Sequence, residues 1–451
     1  MVRIVSKGAK ANMTHKWKIC GLLLLALLLN YMDRQTLSLT ISPISRELGL
    51  NNAQYGEIER GFSLAFAYGG LVAGFLVDRF NVRWLYPLFL LGWSLAGVAT
   101  GYADWVGRTL APFGNLWWTG GIDPQNTTET SYFGFWICRT ILGAFEAGQW
   151  PCALVATQRL LSAADRPAGN SVLQSGASLG AIFTPLVIEA MVTDAPGSWR
   201  LPYPVIGIAG LAWIFLWLGM TKNADFLLKP KEQSEPNQAL SHPTEKPFFR
   251  MEILLRLTAL AIVVIAINAI WQFYRAWMPK MLEEHHHYSP HQVRWFVVLY
   301  FIVTDLGCLS AGFLARRMSK SFGIHGARVL IYGICSLLCI QGTLASSQPG
   351  GPMLLGSLLV VGFGALGLFP IFYSLTQELS ERHQGKVTGF LSFVAWITTA
   401  EIQKRIGQHV DKTGSHADGM FWISLFPLVG LAALILLWPP QREIPMAKGS
   451  T

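Results

Sequence analysis

The chain has 451 residues, of which 52% are hydrophobic and 14% charged, where a soluble domain carries about 25% charged residues. That composition excludes an ordinary soluble enzyme or binding domain and points to lipid. The formal charge of +9 would suit nucleic acid, but Lys and Arg are sorted by position instead of gathered on one motif, and the sorting reads as a membrane topology with both termini on the cytoplasmic side.

A helix that crosses a bilayer needs roughly 20 mostly apolar residues, and such stretches recur along the chain. The first is expected over 17–41. It reads as a retained helix, not a cleaved leader, because its apolar run continues past Asp33-Arg34 to Ile41 and no small-residue cleavage pattern follows. Further helices are expected over 54–77, 84–101, 132–155, 168–192 and 202–220. Between the third and fourth lies one long outer segment, Gly101 to Ser131, whose Trp105, Trp117 and Trp118 suit a membrane surface; its Asn126-Thr127-Thr128 matches a glycosylation triplet. After six helices the chain turns polar. Residues 222–250, rich in Pro, Lys and Glu, read as a cytoplasmic linker. Six more helices are expected over 253–280, 293–316, 326–346, 352–376, 386–408 and 419–438. The resulting domains are 1–221 and 251–451, each an all-α bundle of six helices, joined by 222–250.

The six cysteines all lie in apolar segments without metal-ligand spacing, so they read as small buried apolar side chains. The run His285-His286-His287, with His291 nearby, reads as a solvated outer loop and not a metal site. No cofactor is expected. Charged residues at membrane depth are costly, about 2.5–3.5 kcal/mol on insertion scales, and therefore mark pathways. Asp33, Arg34, Arg139, Glu146 and Arg275 are of this kind, and Arg139 and Arg275 count with Arg34 among the candidates to line the substrate site. Arg139 and Glu146 stand seven apart, two turns, on one face of a helix and roughly 10 Å apart along it, which allows either a functional pair or a structural one bridged by other polar groups. Tyr31, Tyr68, Gln174, Trp271, Tyr274 and Tyr373 are candidates to hydrogen-bond or stack on a hydroxylated substrate.

The segment Gly74-Phe-Leu-Val-Asp78-Arg79-Phe-Asn-Val-Arg83 resembles the loop signature of the major facilitator superfamily, with Asn81 in place of a usual glycine; Asp305 to Arg317 is a degenerate echo in the second half. The fold implied is twelve transmembrane helices in two pseudo-symmetric six-helix bundles. Gly74 is expected to allow close helix packing, and Asp78, with Arg79 and Arg83 beside it, to latch one conformation. Three further stretches, Asn30 to Ser38, Arg139 to Pro151 and Gln174 to Gly180, resemble the anion:cation symporter family, as does Trp277-Met-Pro279. That family's acidic residue in helix ten falls near Glu378. Arg275 and the cluster Glu401-Ile-Gln403-Lys404-Arg405 depart from its pattern.

The resemblance implies a secondary transporter and not an enzyme: Asp33 and Glu146 in proton coupling, Arg34 meeting the substrate carboxylate, and a sugar acid such as a hexuronate or aldonate carried in symport with protons. It further implies a multi-pass protein of a bacterial inner membrane, monomeric, with lipid, protons and a small anion as partners and no nucleic acid. Two other readings stay open: an exporter or exchanger of other organic anions, dicarboxylates or phosphate, and a sensor that binds an anion without moving it.

Overall fold

The computed structural model describes residues 2–116, 118, 121–161, 166–226, 251–379 and 384–438. Its regular structure is helical: α1 Val2–Leu48, α2 Asn52–Arg79, α3 Val82–Thr100, α4 Ala103–Gly114, α5 Thr127–Glu146, α6 Gln149–Leu160, α7 Arg166–Met191, α8 Pro202–Met220, α9 Met251–Glu284, α10 Pro290–Cys339, α11 Gln341–Ala345, α12 Pro352–Leu379, α13 Gln384–Thr413 and α14 Ala417–Leu437. Among the described residues, eight segments are long and apolar enough to cross a membrane on composition alone. One of them, Pro290–Ala345, is two crossings in series, since the chain turns within α10 at Gly323, whose φ of 69° is the left-handed conformation. Helix α1, the pair α5 and α6, and α13 are more polar and supply the other three of the twelve crossings.

Side-chain caps fix where several helices begin. Asn51 with Gln54 caps α2 and Ser289 with Gln292 caps α10, each by a reciprocal pair of hydrogen bonds. Asn126 caps α5, its Oδ1 accepting from the backbone of Thr128 and Glu129. The glycosylation triplet is thus a helix start. The outer segment also differs from expectation: it contains α4, which packs along α5, and Trp118 sets its ring against Tyr132, Phe133 and Trp136 of α5 instead of lying free for the lipid surface. Trp117 lies outside the described residues. The expected fourth helix is broken at Ala147-Gly148, between α5 and α6. In the expected linker, Asn223–Phe226 forms a short turn with Phe226 stacked on Trp217; 227–250 lies outside the described residues.

The helices before residue 221 and those after 251 meet mainly at the end where α1 finishes and α2 begins. There the Asp411 carboxylate accepts from Asn52 N, Asn52 Nδ2 and Ala53 N at 2.6–3.0 Å, so an acid of α13 satisfies backbone donors that α2 leaves without internal partners. Lys404 pairs with Glu57 at 3.0 Å, Tyr55 Oη donates to the Ala276 carbonyl at 2.9 Å, and Glu189 takes both His291 and Arg294. The unusual cluster in the eleventh crossing is therefore part of this contact. Gly56 of α2 and Gly407 of α13 bring the two backbones together: a Cβ at Gly56 would meet the carbonyl of Gln403, and one at Gly407 that of Asn52. Gly74 does not serve this purpose, because a Cβ there would meet nothing within 4 Å. It lies toward the opposite end, and further contacts between the two sets include the Tyr68–Phe393 ring pair and a hydrogen bond between Ser178 of α7 and Asp305 of α10.

Candidate functional site

Halfway along the bundle a group of buried charges replaces the apolar packing. Arg34 projects from α1, and both its Nε, at 3.0 Å, and its Nη2, at 2.6 Å, donate to one oxygen of Glu146 at the end of α5. The other oxygen of Glu146 has no hydrogen-bond partner among the described residues. Four rings surround the guanidinium at 5.0–5.6 Å: Tyr31, Phe62, Phe66 and Trp396. Trp396 comes from α13, so the second set of helices closes the box around a cation of the first. A guanidinium is suited to such a place, being weakly hydrated, always charged and able to stack on rings.

The Arg139–Glu146 pairing considered from the sequence is not formed. Arg139 turns to Glu59 of α2, Nη2 to Oε1 at 3.4 Å, and lies 4.7 Å from the centre of the Phe62 ring. The second oxygen of Glu59 accepts from Arg275 Nη2 at 2.8 Å, and Arg275 Nε donates to Gln272 Oε1 at 2.6 Å. Gln403 continues the chain, its amide reaching the Gln272 carbonyl while its oxygen accepts from Trp277 at 2.5 Å. Glu59 is wholly buried and was not among the residues expected from the sequence. Asp33 is also buried, against Gly97, where an added Cβ would stand 2.7 Å from Oδ2. Any side chain at position 97 would press on that carboxyl group and make it shift.

The remaining candidates divide. Tyr31 joins the box around Arg34. Tyr68, Gln174 and Tyr373 are exposed, Tyr68 edge-on to Phe393 and Tyr373 beside Phe369. Trp271 packs edge-on to Phe301 and Phe369 within the second set. Tyr274 is not brought to the charges: it is buried against α14, its hydroxyl 3.0 Å from Ser424 Oγ. Among the gating candidates, Asp78 and Arg79 are exposed, and no ion pair joins them to the second set among the described residues. Arg83 ties the start of α3 to the end of α8, donating to the Leu218 carbonyl at 3.2 Å. The side chain of Glu378 lies outside the described residues.

The sequence pattern of the Major Facilitator Superfamily matches residues 23–400. The chain belongs to the major facilitator superfamily. Its relatives are transporters, not enzymes. Across 95% of both chains it is 20% identical to the hexuronate transporter of Escherichia coli K12. To the galacturonate transporter of Dickeya chrysanthemi it is 21% identical over 78% of this chain and 91% of the relative. Among solved structures, the xylose transporter XylE from E. coli in its inward open conformation superimposes with a TM-score of 0.69 at 16% identity, covering 97% of this chain and 98% of that one. The superfamily transporter is thus an all-α, multi-pass membrane protein whose crossings form two six-helix bundles, and the buried charges lie where those bundles face each other.

Proposed function

We propose that this chain is a proton-coupled symporter that imports a sugar acid, a hexuronate or aldonate, across a bacterial inner membrane. The observation that carries the reading is the Arg34–Glu146 pair. Arg34 is boxed by rings suited to a sugar face, and its charge is already taken by an internal carboxylate. A substrate carboxylate and an ionised Glu146 compete for the same guanidinium. Protonating Glu146 removes the competitor and frees two donors in the fork geometry that holds a carboxylate, so proton loading and anion binding favour each other. Asp33, buried nearby without a partner for Oδ2 among the described residues, is the second proton site. Arg139 sets the field around both. Tyr31, Tyr68, Gln174, Trp271 and Tyr373 supply the contacts to hydroxyls and ring faces.

In this reading both termini are cytoplasmic, the end joined by Asp411 and α2 is the outer face, and the conformation is open to the cytoplasm. The bundles 1–221 and 251–451 rock as units of a monomer about a site between them, and Asp78, Arg79 and Arg83 form the cytoplasmic latch that engages in the opposite state. The names of the relatives, a hexuronate and a galacturonate transporter, support the substrate class. The test is uptake by proteoliposomes of labelled hexuronates, aldonates, dicarboxylates and phosphate, with and without an imposed pH gradient. Sugar-acid accumulation that follows the gradient is expected. Flux indifferent to it would remove the symport; flux confined to dicarboxylates or phosphate would remove the substrate class; binding without flux would leave a sensor.

A further inference from the structure

The Arg34–Glu146 pair lies within one bundle, whereas Glu59 has partners in both. Arg139, on α5, moves with it; Arg275, on α9, belongs to the other bundle. All three side chains are buried, and Arg139 Nε and Arg275 Nη1 lack hydrogen-bond partners among the described residues. The two arginines therefore share one carboxylate, and neither is fully satisfied by it. Glu59 stands seven residues into α2 from the joined end, level with the contacts of Tyr55 to Ala276 and of Gln403 to Trp277. Parting the bundles at this end must draw Glu59 away from Arg275. The two sides then fare differently. Glu59 keeps Arg139 as counter-charge, but Arg275 keeps only Gln272, a neutral amide fixed on its own helix. A buried cation stripped of its partner is strongly unfavourable, so whatever anion enters through the opening meets an unpaired guanidinium.

We propose that Glu59 is the charge lock of this end: it occupies Arg275 while the bundles touch and yields Arg275 to the transported anion when they part. Closure reverses the exchange, Glu59 displacing the anion from Arg275 toward the Arg34 box and the other opening. The lock acts without touching the substrate, which makes Glu59 a positioning residue. It rests on the alternating-access transport of an anion proposed above, and its test is chosen to read the lock without any substrate.

Ser42 of α1 is 3% exposed and faces Glu283 of α9, in the other bundle, so Ser42→Cys reports opening of this end to a membrane-impermeant maleimide. Protein without that substitution gives the background from the six native cysteines. With Glu59 intact, labelling should be slow; Glu59→Gln should raise its rate at least fivefold. Arg275→Gln should give a similar rise, and Glu59→Gln with Arg275→Gln no more than either alone, because both remove one interaction. Glu59→Asp, which keeps the charge on a shorter arm, should fall between and serves if the Gln variant does not fold. Binding of D-glucuronate should tighten at least threefold in Glu59→Gln, since Arg275 has lost its internal occupant. Labelling at the wild-type rate in folded Glu59→Gln protein, strictly additive effects, or unchanged D-glucuronate affinity would each overturn the lock. Wild-type protein that binds no D-glucuronate would instead remove the sugar-acid reading and leave the labelling result decisive for Glu59.

Discussion

Glu146→Gln is the substitution that separates coupling from binding. The amide has the shape of the carboxyl group and mimics its protonated form permanently, so Arg34 loses its counter-charge while the packing is kept. Breaking a buried ion pair by removing one partner costs about 3–5 kcal/mol. Here Arg34 retains four rings at 5.0–5.6 Å, and a desolvated cation–π contact is worth about 2 kcal/mol. Both hydrogen bonds go to one oxygen, and an amide oxygen in its place, with two lone pairs, can still accept both. A net loss of about 2–3 kcal/mol is therefore expected, enough to lower the melting temperature without preventing folding. Function should divide. The loaded carrier can still rock, so counterflow exchange of labelled for unlabelled D-glucuronate should persist. Accumulation driven by a pH gradient should fail, because the empty carrier cannot release the proton before its return. Both measurements are made in the same proteoliposomes. Loss of both in folded protein would show the pair to be structural; retained accumulation would move the coupling to Asp33.

Arg34→Ala should abolish D-glucuronate binding and Arg34→Lys should restore little of it, since an ammonium cannot reproduce the two-pronged contact; near-normal affinity by calorimetry in the Ala variant would take Arg34 out of the site. Asp78→Asn should lower turnover and leave affinity within a small factor, and because Asp78 is exposed in this conformation its stability should stay within about 0.5 kcal/mol of wild type; loss of binding would refute a gating role. His416, in the turn between α13 and α14, is buried, and burial, with Lys280, His285 and His286 adding to it, pushes its pKa from 6.5 down to about 3. The unfolded chain takes up that proton at higher pH than the folded one, so stability present above pH 6.5 is lost as pH falls toward 3, by about 2 kcal/mol at pH 5 at roughly 1.4 kcal/mol per unit. Melting at pH 7 and pH 5 should show the loss, and His416→Gln should shrink it; an unchanged pH dependence in that variant would contradict the assignment.

Apolar runs made the crossings legible in the sequence because each run must cover a fixed thickness of lipid whatever its neighbours do. One break was less legible. Ala147-Gly148 interrupts a stretch that reads as one crossing, whereas the turn at Gly323 falls in the basic stretch Arg316 to Arg328, between the crossings expected over 293–316 and 326–346. The partners of the buried charges were not legible at all. Arg139 and Glu146 were rightly placed on one face, but two turns of helix separate them, and their true partners come from α2 and α1, at sequence separations of 80 and 112. Glu59 escaped notice because Glu57-Ile-Glu59-Arg60 reads as the polar edge of a span, and its burial comes from partners on α5 and α9, far away in sequence. Tyr274 was grouped with Trp271 and Arg275, yet neighbours on a helix point about 100° apart. That rotation turns Tyr274 into its own bundle and Arg275 toward Glu59.

The two ion pairs answer to different events, and Phe62 is placed to connect them. Arg34 and Glu146 can separate by a proton transfer without movement of the bundles; Glu59 and Arg275 can separate only when the bundles move. The Phe62 ring lies 5.4 Å from the Arg34 guanidinium and 4.7 Å from that of Arg139, the other partner of Glu59. A shift of either cation must therefore displace the ring against the other. Phe62→Leu keeps an apolar side chain there but removes the shared face, at roughly 0.5–2 kcal/mol for each cation–π contact. Both ion pairs should survive while their mutual constraint weakens. The expected result is a leak: proton entry without sugar acid, and a lower ratio of substrate accumulated to protons admitted, with D-glucuronate affinity reduced less than tenfold. An unchanged ratio in folded Phe62→Leu protein would mean that the two pairs are linked through the backbone of α2 and α5 and not through this ring.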